Sequence, residues 1–141
     1  MLKYLFDKLK NKYANESCIE LVDSDVMDIG LPKAKVYILF LTLMFIPIHQ
    51  RQKLMQRIKD KCEEGGVIII VDKVCDHLGY FSTVLKRLTM HFKLLQGAKP
   101  EDVLIKEMSL AGVQIPIDIS LLGDAKEFFR MGEFAGWVIE L

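Results

Sequence analysis

Two runs of apolar residues constrain the fold of this chain more than any other feature. Residues 36–48 read VYILFLTLMFIPI, and residues 67–72 read VIIIVD. The first run is too short to cross a membrane, which takes about 20 apolar residues, so it must be buried in protein. Near-continuous apolar runs are typical of strands in a parallel sheet that is covered on both faces. We therefore predict buried strands over 36–46 and 67–72.

The residues between these two runs have the spacing of a helix. Over 50–62, apolar side chains recur on one face, and Gly65-Gly66 then marks a turn. That face carries Leu54, Met55, Ile58 and Cys62. Two buried strands joined through a helix form a βαβ unit, which places the chain in the α/β class.

The rest of the chain reads as helices with two further strands. Residues 1–13 predict an amphipathic helix, and 19–22 (IELV) a short strand. Helices follow over about 77–95 and 100–111, and a third begins at Ser120 and ends at Met131. FAGWVIEL is the last strand. The predicted fold is a reduced, doubly wound sheet of about four strands flanked by helices, in one domain, 1–141.

Composition narrows the classes of function. Lys+Arg and Asp+Glu each count 19, so the formal net charge is zero. A neutral chain with dispersed charges lacks the basic patch that binds nucleic-acid phosphates, and it has little charge to keep copies apart. We therefore expect a protein partner or a homo-oligomer, with neither nucleic acid nor membrane as partner.

Cysteine and histidine spacing argues against a metal site. The three cysteines form no C-x-x-C pair, and the three histidines form no H-E-x-x-H motif. These residues are Cys18, Cys62, Cys75, His49, His77 and His91. Reduced thiols of this kind indicate a cytoplasmic protein.

Acidic residues stand where a ligand of an α/β sheet would bind. Asp25 follows the predicted strand 19–22, and ligands of open α/β sheets bind beyond the carboxyl ends of strands. Asp25 could therefore touch a ligand, or it could form an Asx turn in a solvated loop. Asp72-Lys73, at the end of the second apolar strand, reads as an ion pair.

Several segments in shared order resemble a known family. The segments IELVDSDVMDI, VYILFLTLMFI and QRQKLMQRIKDKCEEGGVIIIVDKV resemble the second half of class I S-adenosylmethionine (SAM) methyltransferases. More narrowly, LTLMFI followed by RQKLMQRI, then EEGGVIIIVDKV and TMHFKLLQG, resemble the carboxy-SAM synthases of tRNA wobble-uridine modification. The resemblance implies a doubly wound sheet, SAM chemistry and homodimerisation.

The resemblance also implies differences from the family. The family's first two strands and its Gly-rich loop have no counterpart in these 141 residues, and only the last strand of its terminal hairpin is expected. Asp25, with Val26, matches the adenine-side position. Phe40, near Thr42, stands where the family has Asn, and Glu107 stands where it has an Arg that pairs with the carboxylate of the modified cofactor. These four cofactor-site positions, 25, 26, 40 and 42, are therefore expected to be vestigial.

Two functions remain open at this point. The first is a non-catalytic interaction or inhibitor module, of the kind that phages or mobile elements encode, which binds no cofactor alone. Its interaction residues would be Val36, Ile38, Phe40 and Glu107, since an uncharged strand edge invites pairing with IELV or with another chain. The alternative is a SAM-dependent transferase in tRNA modification, which binds SAM or carboxy-SAM once another subunit completes the site.

Overall fold

The computed structural model describes residues 2–74 and 79–141. The chain divides into two compact units, Met1–Gly30 and Leu31–Leu141, which are described separately below. The predicted single domain over 1–141 stays a prediction. None of the described helices is long and apolar enough to cross a membrane. The predictions that involve Cys75, His77 and Leu78 lie outside the described residues.

The first unit contains helix α1, Leu2–Lys12, as the amphipathic pattern predicts. The predicted strand over 19–22 is wrong, because these residues adopt no regular structure. A strand is held by the backbone of a neighbouring strand. Here the Ile19 amide instead donates to the Glu16 carbonyl at 3.2 Å, which closes a local turn.

The second unit is built on a four-stranded mixed sheet. Strand β1 (Ala34–Phe40) and strand β2 (Cys62–Lys73) are parallel, and helix α2 (Ile48–Lys61) connects them. The predicted βαβ unit is therefore confirmed. Of the four side chains predicted on the inner face of α2, Leu54, Met55 and Ile58 are buried, whereas Cys62 begins β2.

The end of the first apolar run differs from the prediction. The strand ends at Phe40, and Leu43–Phe45 forms a short 3₁₀ helix. The strand is not buried on both faces, since Val36, Ile38 and Phe40 are at least half exposed whereas Leu39 is buried. It is also an edge strand, because the strand order is β1-β2-β4-β3.

Gly65 and Gly66 lie within β2 rather than in a turn between helix and strand. The Gly65 amide donates to the Leu141 carbonyl at 2.9 Å. A Cβ atom on Gly66 would lie 2.7 Å from the Lys35 carbonyl oxygen. Glycine at 66 therefore permits a close approach of two strands, a role that a helix-ending turn does not have.

The last part of the sheet is a hairpin, which corrects two predictions. Strand β3 (Lys126–Met131) pairs antiparallel with β4 (Phe134–Glu140), and β4 lies beside β2. The predicted helix from Ser120 to Met131 is wrong, since Ile119–Leu122 is a short 3₁₀ helix and 126–131 is a strand. The hairpin is thus present with both strands, where the last strand alone was expected.

Two helices precede the hairpin. Helix α3 is Gly79–Leu95 and helix α4 is Pro100–Leu110, close to the predicted ranges. The predicted apolar stripe of α3 is not buried: Leu88, Phe92 and Leu95 are more than half exposed. The core lies instead between α2 and the sheet, where Ile68, Ile70 and Trp137 are almost fully buried.

Candidate functional site

The carboxyl end of β1 is a tight turn built on a strained residue. The Leu41 amide still donates to the Val71 carbonyl of β2 at 2.8 Å, but its φ angle is 52°. This left-handed conformation is unfavourable for a side chain such as leucine. The Thr42 hydroxyl then donates back to the Phe40 carbonyl at 3.2 Å. Phe40 and Thr42, two of the four predicted cofactor positions, therefore lie on either side of this turn.

The turn is fixed by Asp72, at the end of the neighbouring strand. One carboxylate oxygen, Oδ2, accepts hydrogen bonds from the amides of Thr42, Leu43 and Met44, at 3.1, 2.7 and 3.3 Å. The residue is fully buried. Burial raises the pKa of the Asp72 carboxyl, and the backbone hydrogen bonds oppose that rise.

Lys73 forms an ion pair with Glu133 and not with Asp72, the partner that the sequence indicated. Its ammonium group lies 3.4 Å from the Glu133 carboxylate, at the turn of the hairpin. Asp72 and Lys73 are therefore not a mutual ion pair at the strand end: the first orders the turn after β1, and the second pairs with the β3–β4 turn.

The outward face of β1 is apolar and exposed. The side chains of Val36, Ile38 and Phe40 are 50%, 66% and 65% exposed, and we call these three residues the β1 surface. Alternation along a strand puts them on one face. Since the Leu41 amide points to β2, the backbone groups of the β1 surface point to the other edge. Among the described strands, β1 pairs with β2 alone.

Asp25 and Val26 lie in the first unit, whereas the other predicted site residues lie in the second. Asp25 Oδ1 accepts a hydrogen bond from the Met27 amide at 2.8 Å. The Asp25 carbonyl accepts from the amide of Asp28 at 3.0 Å. Asp25 thus forms the Asx turn that the sequence left open as an alternative. Its role beside an adenine, with Val26, stays a prediction.

Glu107 lies in a charged cleft between α3 and α4. Its carboxylate oxygens lie 3.1 Å from the Lys93 ammonium and 3.8 Å from that of Lys86. The cleft has a volume of about 310 Å³, and Lys73 and Glu133 line it as well. We call it the Glu107 cleft.

The pKa of Glu107 follows from these contacts. Burial alone would raise the pKa of the Glu107 carboxyl. The hydrogen bond and charge of Lys93 and the charges of Lys73 and Lys86 outweigh burial, so that pKa lies below its usual value. Glu107 is therefore ionised at neutral pH and paired within the chain.

Metal ligands do not cluster in the described part of the chain. Within 2–74 and 79–141, no group of three His, Cys, Asp or Glu side chains could hold a metal ion. At the end of β1, the amide of Thr42 donates to Asp72. At the same end, the Phe40 side chain is exposed and Thr42 is partly exposed.

The sequence analysis missed the role of Asp72 and the lysine partners of Glu107. Asp72 organises the turn after β1. The sequence feature that could have indicated this role is a single acidic residue at the end of an apolar strand. Lys86 and Lys93 bind Glu107. The sequence indicates only that these two lysines are seven residues apart on α3, which places them on one face of the helix.

Comparison with curated proteins finds relatives among the carboxy-S-adenosyl-L-methionine synthases. No family model matches the chain. The chain is 30% identical over 124 residues to the carboxy-S-adenosyl-L-methionine synthase of Staphylococcus epidermidis, covering 88% of the chain and 52% of that protein. The Shewanella oneidensis synthase is 27% identical over 127 residues, 90% of the chain and 52% of that protein. The chain is related to the carboxy-SAM synthases. It spans about half the length of these relatives.

Two solved structures share the fold of the chain. Human N-acetylserotonin methyltransferase, solved with SAM, matches with a TM-score of 0.56 and 16% identity, over 96% of the chain and 37% of that protein. The SAM-dependent methyltransferase SibL matches with a TM-score of 0.57 and 11% identity, over 94% and 38%. This carboxy-SAM-synthase-related chain therefore has a methyltransferase-like, Rossmann-like α/β fold, as predicted.

Proposed function

We propose that this chain is a protein-interaction module on a methyltransferase-like fold and that it acts through the β1 surface. The observation that carries the proposal is the exposure of Val36, Ile38 and Phe40 on an edge strand. The outer edge of a strand can pair with a further strand by backbone hydrogen bonds. The three apolar side chains add a driving force, since fully burying one is worth about 1.5–3 kcal/mol.

The relatives indicate what kind of partner fits. The synthases are about twice as long as the stretch that the chain matches, and SAM methyltransferases of similar fold are longer still. We propose that the partner is a polypeptide that carries further strands and helices of a methyltransferase-like fold. One of its strands pairs with β1, and its apolar residues cover the β1 surface.

A concrete probe for this partner is the half of the Staphylococcus epidermidis synthase that the chain does not match. We expect the purified chain to bind this half in a calorimetric titration. Ile38→Lys places a charge in the proposed contact and should weaken binding at least about tenfold. Leu104→Lys is the matched control, because Leu104 is 60% exposed on α4, outside the β1 surface; its binding should equal that of the original chain.

Two results would overturn the proposal. One is equal binding by the Ile38→Lys variant and the original chain. The other is a monomer in light scattering that binds neither the probe nor itself. A homodimer that Ile38→Lys dissociates would replace the proposed partner with a second copy of the chain.

What the assembled complex does has two candidate answers. We propose first that it is non-catalytic. Phe40 and Glu107 support this answer, because an apolar ring is exposed at the cofactor edge and Glu107 is paired with lysines of the chain itself. The second candidate is a SAM-dependent transferase acting in tRNA modification, with the partner completing a SAM or carboxy-SAM site. The relationship to carboxy-SAM synthases supports this second answer.

Calorimetric titration with SAM and with carboxy-SAM separates the two candidates. The non-catalytic module predicts no saturable binding by the chain, either alone or with the probe half. Because the probe half alone could bind SAM, it is titrated separately as the control. Binding that requires both polypeptides, and that falls on Thr42→Val, would support the transferase and reject the non-catalytic module.

A further inference from the structure

The sheet of the second unit has two outer strands, β1 and β3, and both expose apolar side chains. On β3 these are Phe128, Phe129 and Met131, and all six residues of the strand are exposed. Among the described strands, β3 pairs with β4 alone. If β1 of one copy paired with β3 of the next, the contact would repeat without closing. The formal net charge of zero offers little repulsion between copies.

Strand β3 contains a bulge, whereas the β1 surface keeps one register with β2. Glu127 lies opposite Trp137 of β4. The next paired residue is Phe129, which lies opposite Gly136. Phe128 is therefore an extra residue without a counterpart on β4. A bulge interrupts the ladder of backbone hydrogen bonds and bends the strand, so the outer edge of β3 is a poor template for a further strand.

Gly136 makes room for the extra residue. A Cβ atom at position 136 would lie 2.8 Å from Cζ of the Phe128 ring, a distance at which the two atoms overlap. Because glycine has no side chain, the Phe128 ring can approach the backbone of β4 closely. The bulge is thus a built feature of the hairpin, which depends on a glycine in the partner strand.

The bulge also explains an ion pair that a regular strand would not allow. Residues three apart in a strand point to opposite faces, and one extra residue between them brings them to the same face. Arg130 donates from Nε and Nη2 to the two carboxylate oxygens of Glu127, at 2.8 and 2.6 Å. The hydrogen bond from Arg130 is the main reason why the pKa of Glu127 lies below its usual value, and the Trp137 side chain also donates to this carboxylate.

Charged residues make up half of β3. Lys126, Glu127 and Arg130 are three of its six residues. Lys126 Nζ lies 3.1 Å from the Glu140 carboxylate of β4. A strand that paired with β3 would have to desolvate these groups or separate their pairs, so the charges oppose pairing. The β1 surface has no charged residue. The two outer strands therefore differ in bulge and charge, although both expose apolar side chains.

We propose that β3 is a protected edge: its bulge and its Glu127–Arg130 pair prevent β1 of another copy from docking there, so the sheet is extended at β1 only. Since this rests on the proposed function, in which β1 receives the partner, the complex ends at one partner for each chain. The alternative is that the bulge and the ion pair only stabilise the hairpin. Their removal would then weaken the fold and cause no self-association.

Two variants of the chain alone test this protection. The charge variant carries Glu127→Gln and Arg130→Gln, which remove one charge of each sign, and the bulge variant lacks Phe128. We expect each to self-associate at least about tenfold more tightly than the original chain in sedimentation equilibrium, with assemblies larger than a dimer. Adding Ile38→Lys to either variant should remove this gain, because the strand that docks on β3 is β1 of another copy.

The matched control carries Glu101→Gln and Lys106→Gln, two exposed positions of α4 that also remove one charge of each sign. It should associate as the original chain does. Circular dichroism checks that each variant is folded, and the charge variant, which keeps every residue of the backbone, decides if the bulge variant does not fold.

Two results would overturn the protected edge. One is a folded charge variant that associates no more tightly than the original chain. The other is a gain in association that Ile38→Lys leaves unchanged. Neither result bears on the titration with the probe half of the synthase, which tests the proposed function by itself.

Discussion

Asp72 Oδ2 accepts the Leu43 amide at 2.7 Å, which joins the end of β2 to the turn that follows β1. The same oxygen accepts the amides of Thr42 and Met44. These three donors lie in a partly or fully buried region, where an unsatisfied amide costs about 1–3 kcal/mol. One side chain thus orders the backbone at the carboxyl ends of β1 and β2.

Asp72→Ala should destabilise the protein by about 3 kcal/mol or more, because it removes the acceptor of three amides. Urea unfolding followed by circular dichroism measures this loss. Asp60→Ala is the control, since Asp60 is exposed and accepts one hydrogen bond, from the Gln56 side chain. We expect a loss below about 0.5 kcal/mol for Asp60→Ala. A loss below about 1 kcal/mol for Asp72→Ala would show that the turn forms without the hydrogen bonds to Asp72.

At position 41, a glycine variant should be more stable than an alanine variant, which is the reverse of the usual order. Glycine ordinarily lowers stability by about 0.5–1 kcal/mol relative to alanine. At a φ of 52°, alanine carries a steric cost of about 1 kcal/mol that glycine lacks. We therefore expect Leu41→Gly to be more stable than Leu41→Ala in urea unfolding. Ala111→Gly, where φ is −61°, should show the ordinary loss. If Leu41→Ala is the more stable variant, the left-handed turn is not strained.

Arg51 should be essential to the fold although no carboxylate among residues 2–74 and 79–141 binds it. Its guanidinium donates to the carbonyls of Ile46, Ile115 and Pro116, at 2.9, 2.7 and 3.1 Å. Arg51→Met removes the donor of these buried and partly buried acceptors and should cost about 3 kcal/mol, again by urea unfolding. Lys53→Met, at an exposed position of the same helix, is the matched control. Similar midpoints for the two variants would contradict this role.

Stability should depend on pH through Glu107. The pKa of this carboxyl is lowered in the folded protein, so its ionised form stabilises the fold above the ordinary value of 4.5. That contribution is lost as the pH falls through the lowered pKa. We expect the unfolding free energies of the original chain and of Glu107→Gln to differ at pH 7 and to approach each other as the pH falls below the ordinary value of 4.5 and through the lowered pKa. A constant difference over this range would mean that Glu107 does not titrate with folding.

The sequence predicted the βαβ unit because its signals are local. A continuous apolar run is typical of a buried strand, and the apolar side chains of α2 recur with the period of a helix. It failed at the turn that follows β1, because Asp72, which accepts the Thr42 amide there, is thirty residues away from Thr42 in sequence. It failed at Ile19–Val22 for a related reason: strand propensity alone forms no strand when no neighbouring strand pairs with it.

In the candidate site, too, some residues could be predicted from their own segment and others depend on partners far away in sequence. The interaction positions Val36, Ile38 and Phe40 follow from an uncharged strand, and their exposure is consistent with that prediction. The partners of Glu107 do not follow from its own segment, since Lys86 and Lys93 lie on another helix. Residues 126–131 mislead in another way, because KEFFRM fits a helix as well as a strand, and only pairing with β4 decides between them.

The strand order has a consequence for how the protein folds. Strand β2 is central, yet its two neighbours lie at very different distances along the sequence: β1 is joined to it through α2, whereas Ile70 pairs with Trp137 of β4. Strands β1 and β2 can assemble with α2 while half of the sheet is open, and closing so long a loop is slow. A folding intermediate of this kind exposes one edge of β2 at Ile68–Ile70, and unpaired strand edges make such species prone to aggregation.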